Sequence, residues 1–245
     1  MKQLIILTLL LFSTTLFAQY PEGKTVLDKI DENMSSENRV FTARMIIHGK
    51  RSSRTMELKS WSVGDDQSFS EYLSPARDAG TKMLKLEDKL WIYSPSTDRT
   101  IQISGHMLRQ SVMGSDLSYE DMMEDVKLSE QYHSVVTGTE EIEGRNCYIL
   151  ELTATDKEVS YYKRILWVDI ERYIPLKEEL YSKSDKLLKK TELFDVVKLK
   201  GRWFPRKIVF KDMLKSGKGT EYIIDDIEFD VKIPEHIFSK ASLKE

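Results

Sequence analysis

The stretch Phe41-Thr42-Ala43-Arg44-Met45-Ile46-Ile47-His48 sets apolar Phe41, Ala43, Met45 and Ile47 against Thr42, Arg44 and His48. A repeat of two residues places the first set on one face of a strand and the second on the other. Downstream the same signal returns in Thr55 to Val63, Ser68 to Leu73, Thr81 to Leu86, Leu90 to Tyr93 and Arg99 to Ile103, punctuated by Gly64-Asp65-Asp66, Pro75, Gly80 and Pro95. Turn residues at such intervals read as hairpin connections. A second series starts at Tyr132 and continues through Asn146 to Ala154, Tyr161 to Ile170, Ile174 to Tyr181, Lys189 to Leu199, Trp203 to Met213 and Thr220 to Val231. Parallel crossovers need a dozen or more residues, so links this short make a meandering antiparallel sheet, expected to have about 11 strands.

Two helical signals interrupt the strands. Val26, Leu27, Ile30 and Met34 fall on one side of a short helix over Gly23 to Met34. Between the two series, Met107, Leu108, Val112, Met113, Leu117, Met122 and Met123 recur at helix-like distances, predicting one or two helices within Gly105 to Val126. Several strands are apolar on both faces, as where Tyr161, Ile165 and Trp167 oppose Tyr162, Leu166 and Val168. An antiparallel sheet with one face in water does not need this. Both faces are therefore covered, by neighbouring strands, by a helix, or around a cavity.

At the N-terminus, Lys2 precedes the apolar run Leu4 to Phe12, which is followed by Ser13, Thr14, Thr15 and a small residue at Ala18. That is the pattern of a secretory signal peptide, cleaved near Ala18/Gln19. The run is about half the 20 residues a membrane-spanning helix requires. Residues 19–245 then form the mature, exported chain, read as one domain because no Pro/Gly/Ser-rich linker divides it. The single cysteine, Cys147, excludes an internal disulfide framework and lies far from the cleavage site, so no thiol is placed to carry a lipid anchor. A formal net charge of -3 gives no reason to expect nucleic acid as a partner.

The segment Asp88-Lys89-Leu90-Trp91-Ile92-Tyr93-Ser94-Pro95, followed by Asp98-Arg99-Thr100-Ile101, resembles the hairpin of the LolA family of periplasmic lipoprotein carriers. The tail Ile227 to Phe238 resembles that family's last strand and the short turn ending in Phe. Met113-Gly114-Ser115-Asp116-Leu117-Ser118-Tyr119-Glu120-Asp121 is similar to a motif of the wider group of outer-membrane lipoprotein-sorting-like proteins. The resemblance implies a mainly β (α+β) fold of the LolA/LolB type: a half-open, strongly curved antiparallel sheet, an incomplete barrel, with a helical plug over a hydrophobic cavity for acyl chains. It also implies lipoprotein acyl chains or lipid as ligand, an inner-membrane transporter and an outer-membrane acceptor as partners, and no cofactor. The chain departs from the carriers where their Lys-Arg-Pro would stand. Trp61 to Asp66 occupies that place, so no residue inherits the role of that Arg, and lipid-type binding is the better-supported expectation than lipoprotein shuttling.

Candidate cavity liners are Phe41, Met45, Leu84, Leu86 and Trp91 from the first series, and Leu150, Leu166 and Phe210 from the second. Met107, Met113, Met122 and Met123 join them from the predicted helical segment. Thioethers and large rings rearrange around a flexible chain, and burial at about 25 cal/mol per Å² supplies affinity without a charged anchor. The same residues also suit an ordinary core, which leaves open a non-transport scaffold protein of the cell envelope with a packed interior. The acids Asp116, Glu120, Asp121, Glu124 and Asp125 lack the spacing of a calcium loop. Ser118 followed by Asp121 reads instead as a helix N-cap with acids in the first turn, stabilised by the helix dipole.

No nucleophile elbow, zinc-protease motif or phosphate-cradling loop is present, which makes an exported hydrolase a distant third reading. His48, His106, His133 and His236 are scattered, so no metal site is expected. Cys147 alternates with apolar residues and reads as a buried small hydrophobe. The cations of Lys183 to Lys190 suit anionic headgroups but are interleaved with Asp185, and a solvated hairpin is expected there.

Overall fold

The computed structural model describes residues 20–124, 127–156 and 159–245. The predicted export segment, and Asp125 and Val126 of the predicted helical interruption, lie outside the described residues. Helix α1 spans Gly23–Met34, the limits read from the sequence. Six strands follow: β1 Asn38–His48, β2 Ser53–Val63, β3 Gln67–Ser74, β4 Lys82–Leu86, β5 Lys89–Ser94 and β6 Arg99–Ile103. After the one-turn helix α2, Leu128–Gln131, come β7 Tyr132–Ile142, β8 Arg145–Ala154, β9 Lys163–Asp169, β10 Pro175–Tyr181, β11 Leu187–Leu199, β12 Arg202–Asp212 and β13 Gly219–Phe229.

All form one 13-stranded sheet in the order β6-β5-β4-β3-β2-β1-β13-β12-β11-β10-β9-β8-β7, and every pairing is antiparallel. The thirteen strands correspond one for one to the runs read from the sequence, so the expected total of about 11 was an undercount of those runs. The sheet is not closed. Its edges, β6 and β7, are consecutive in the chain, so the connection through residues 104–131 must cross from one edge to the other. This topology carries the connection across the inner face of the curved sheet.

That connection is not α-helical over Gly105 to Glu124, contrary to the sequence expectation. It contains two 3-10 turns, Gly105–Arg109 and Val112–Gly114. Gly105, Met113 and Gly114 take positive φ values of 55°, 51° and 77°, a region from which no α-helix propagates. Ser111 bridges Ser118, and the Val112 N–H donates to the Leu117 carbonyl, so the chain doubles back as a tight strap. The apolar residues still face the sheet, which is why their spacing imitated a helix.

Both sheet faces are covered, each by a different device. On the inner face of the first half, Met45, Met56, Leu58, Tyr72 and Met83 pack with Val112 and Leu117 of the strap. On the outer face, Phe69, Leu84 and Trp91 pack against Leu243, with Ile237 and Phe238 alongside. On the second half, Leu150, Leu152, Leu166 and Val168 meet Val26, Leu27 and Ile30 of α1. Trp167, on the opposite face, donates to Glu140 at 2.5 Å and lies beneath Lys177, 3.8 Å from its ring.

Helix α1 is pinned at both ends. The Asn33 side-chain amide donates to the carbonyls of Arg172 and Tyr173 and accepts from the Trp203 N–H. At its start, Gly23 lies so close to β7 that a Cβ would sit 2.2 Å from the Ser134 carbonyl oxygen. Gly23→Ala must push the helix off the sheet and is expected to lower unfolding stability by about 2 kcal/mol, measured by urea denaturation.

Candidate ligand cavity

A cavity of about 410 Å³ opens on the inner face, between the second half of the sheet, the end of α1 and the strap. Strand alternation builds its apolar wall: Phe204, Ile208 and Phe210 come from β12, Tyr222 and Ile224 from β13, Phe41 from β1. Phe210, Tyr222, Ile208 and Phe41 are only half-buried; Phe41, Tyr222 and Phe210 pack against the apolar cluster beneath the strap and still leave part of their surface open to this space.

The facing wall is polar and charged. Arg164 on β9 is 7% exposed. Its guanidinium donates to the Tyr132 hydroxyl at 2.9 Å, to Glu178 at 3.2 Å and to Glu124 at 2.5 Å. It thus joins β7, β10 and the strap. Tyr132 in turn donates to the Tyr161 carbonyl at 2.8 Å. Beside this network, Lys189 on β11 is paired with Asp121 of the strap, whose other oxygen accepts from the Tyr161 hydroxyl at 2.5 Å.

The two acids respond differently. Burial would raise the Asp121 pKa, but the Lys189 ammonium and the surrounding donors outweigh it and hold the carboxyl below its ordinary value. Glu178 is raised, because burial exceeds the attraction of Arg164. Burial and the adjacent Asp121 carboxylate push the Tyr161 hydroxyl up, so it stays protonated and donates.

Ser118 and Asp121 exchange hydrogen bonds, the Ser118 N–H to Asp121 at 2.6 Å and the Asp121 N–H to the Ser118 hydroxyl at 3.2 Å. This reciprocity is that of a capping box, but it closes a lone turn. With no α-helix following, the predicted dipole stabilisation is replaced by the Lys189 ion pair. Asp116 is likewise engaged, accepting from the Thr220 hydroxyl and the Asp212 N–H, each at 2.9 Å. Among the described residues, no group of three or more His, Cys, Asp or Glu side chains is arranged to hold a metal ion. Cys147 is fully buried, and burial pushes its thiol up to about 11.

Of the residues expected to line a cavity, Phe41, Met122, Leu166 and Phe210 do so here. Met45, Met107, Met113 and Met123 pack into the apolar cluster beneath the strap, and Leu150 lies under α1. Leu84, Leu86 and Trp91 sit on the outer face with Leu243, one residue out of phase with the inward-facing Met83 and Leu90. The charged wall was not foreseen, yet alternation contained it: Arg164 shares a face with Leu166 and Val168, Glu178 with Leu180, and Lys189 with Leu193.

This half-open sheet, with a strap over its concave cavity, is the fold of the LolA superfamily. The structure is similar to that of a DUF1329 family protein from Desulfovibrio piger, with TM-score 0.82 and 27% identity over 90% of this chain and 97% of that one. A putative outer membrane lipoprotein-sorting protein domain from Vibrio parahaemolyticus matches with TM-score 0.79 and 27% identity, over 91% and 98% of the two chains. A LolA superfamily protein from Nitrosomonas europaea matches with TM-score 0.75 and 26% identity, over 90% and 99%. No curated protein sequence matches the chain. The chain belongs to a family of uncharacterized proteins whose model matches residues 64–245.

Proposed function

We propose that this protein is an exported, periplasmic binding protein or carrier for amphiphilic ligands, whose acyl chains lie against the β12–β13 wall and whose polar ends meet the charged wall. One observation carries the reading: an open cavity of about 410 Å³ with half-buried aromatic and aliphatic side chains on one side and a hydrogen-bonded ion network on the other. Ligand pockets are commonly of about 300–1,000 Å³, mostly apolar, with a few placed polar groups. Similarity to the putative outer membrane lipoprotein-sorting protein domain of Vibrio parahaemolyticus supports lipid or lipoprotein acyl chains as the ligand class. Residues 19–245 act as one domain, and the work is burial and release rather than catalysis. Transfer needs a donor and an acceptor, which for a carrier between membranes are an inner-membrane transporter and an outer-membrane acceptor. A scaffold with a packed interior is disfavoured by the open space.

Native mass spectrometry with lipid extraction, on protein purified from a periplasm, tests the reading. Co-purifying lipid or lipopeptide is the expected result. Phe210→Asp, at a half-buried position, is expected to reduce retained ligand at least about tenfold, since burying a Phe side chain is worth about 2 kcal/mol, with a thermal melt showing that the fold persists. An apo mass together with no uptake of fluorescent fatty acid overturns the reading.

A further inference from the structure

Three hairpin tips lie side by side at one end of the sheet. The contiguous strands β2-β1-β13-β12-β11-β10 are joined there by the β1–β2, β12–β13 and β10–β11 turns. Two backbone bonds hold the tips together, from the Lys218 N–H to the His48 carbonyl and from the Met213 N–H to the Leu188 carbonyl. Across residues 49–54, 182–190 and 211–218 the sequence places ten Lys or Arg and only Asp185 and Asp212 as acids. The chain as a whole is net negative at -3, so this concentration is local.

Both acids are engaged, Asp185 by Lys163 and Asp212 by Lys215 at 3.5 Å, and of the cations Lys189, Lys190 and Lys211 are taken up by Asp121, Glu179 and Asp116. Lys50, Arg51, Lys186 and Lys218 are exposed and have no ion-pair partner among the described residues. At the centre of the rim, Met213 and Leu214 project with 42% and 61% of their surfaces exposed. The turns at the other end of the strands mix Asp66, Glu87, Asp88, Glu143 and Glu171 with Lys89, Arg172, Lys200 and Arg202, so they show no comparable excess of cations.

We propose that this rim docks on the surface of a membrane containing anionic phospholipid, with Met213 and Leu214 entering the interface. A spread of cations on three separate turns around an apolar tip matches a fluid, uniformly negative plane better than one acidic peptide, which would need a groove. Behind the tip, a second cleft of about 420 Å³ is bordered by Leu214 and Lys215 and reaches Tyr161 and Lys189, which also border the main cavity. Docking therefore sets the cleft against the lipid surface and leaves one layer of side chains between membrane and cavity. The inference goes beyond the cargo reading and does not depend on it.

Co-sedimentation with phosphatidylglycerol/phosphatidylethanolamine vesicles, and with phosphatidylcholine vesicles, tests it at low salt. A Lys or Arg near an anionic surface is worth about fivefold in partitioning. The variant Lys50→Glu/Arg51→Glu/Lys186→Glu/Lys218→Glu is thus expected to lose at least about a hundredfold in binding to the anionic vesicles. The same four positions changed to Gln provide a milder variant if charge reversal impairs folding. Lys89→Glu/Lys232→Glu, at the opposite end, is expected to bind as wild type. Leu214→Ser is expected to weaken binding several-fold without changing its salt dependence. Equal binding to both vesicle types, binding to neither, or unchanged binding by the Glu and Gln variants would overturn the proposal, as would capture by acidic polypeptide without vesicle binding.

Discussion

Replacing Arg164 by Met is expected to lower unfolding stability by about 4 kcal/mol at neutral pH, because breaking a buried ion network strands its remaining charges. The side chain is nearly inaccessible and bonds Glu178, Glu124 and Tyr132 at once. Without it, two carboxylates and a hydroxyl face the cavity uncompensated. Glu178 already lies above its ordinary pKa through burial, so in the variant it takes up a proton first. A group whose folded pKa is raised favours the folded state below its unfolded pKa, and that contribution is lost as pH rises through the folded value. The deficit of Arg164→Met should accordingly shrink as pH falls, and adding Glu178→Gln should restore about half of it at neutral pH. Urea unfolding of the single and double variants from pH 7 to pH 4 checks both statements. A pH-independent deficit would show that packing, rather than charge, is what Arg164 supplies.

Asp121→Asn is expected to cost about 3 kcal/mol at neutral pH, since it leaves the Lys189 ammonium, with only 10% of its side chain exposed, without its counter-charge. The pH dependence has the opposite sign to that of Glu178. Asp121 is held below its ordinary pKa, so its contribution is complete above the unfolded carboxylate value of about 4 and disappears as pH falls through the lower folded value. Wild type and variant should therefore converge on acidification. Parallel melting curves down to pH 3 would refute the ion-pair account. The variant should also raise hydrogen exchange in residues 118–124, because Asp121 ties this part of the strap to β11 and to Tyr161.

The sheet was readable because half-buried antiparallel strands write their period directly into the chain, as in Phe41, Ala43, Met45 and Ile47. Helix α1 was equally plain, with Val26, Leu27 and Ile30 on one stripe and nothing before Ser35 to break it. The strap was not. Met107, Met113 and Met123 do face the core, but a spacing of apolar residues records which side chains are inward, not the backbone that turns them there. Met113 at φ 51° has no signature in its own side chain. The lining of the cavity was half legible for a related reason. Hydrophobicity singled out Phe41, Leu166 and Phe210, while Leu84 and Trp91 were equally apolar and belong to the outer face. Phase relative to a known inward residue separates them, and the same phase turns Arg164, Glu178 and Lys189 inward. The expectation of a solvated hairpin over Lys183 to Lys190 took charge as a sign of solvent at Lys189, where alternation already pointed to the interior.

The strap has one further consequence. Its first part is seated by Val112 and Leu117, both almost wholly inaccessible. Its second part is fastened at points, with Asp121 to Lys189, Glu124 to Arg164 and the Met123 carbonyl to Lys85. A rod-like helix over the same space would have to lift as one body and expose its whole apolar stripe. A seam of separate polar stitches can part at one and hold at the next; on the carrier reading proposed above, that is what would let a slender chain pass beneath it while the methionines of the first half stay dry. How wide it opens is then governed less by loss of packing than by whatever competes for those few charges.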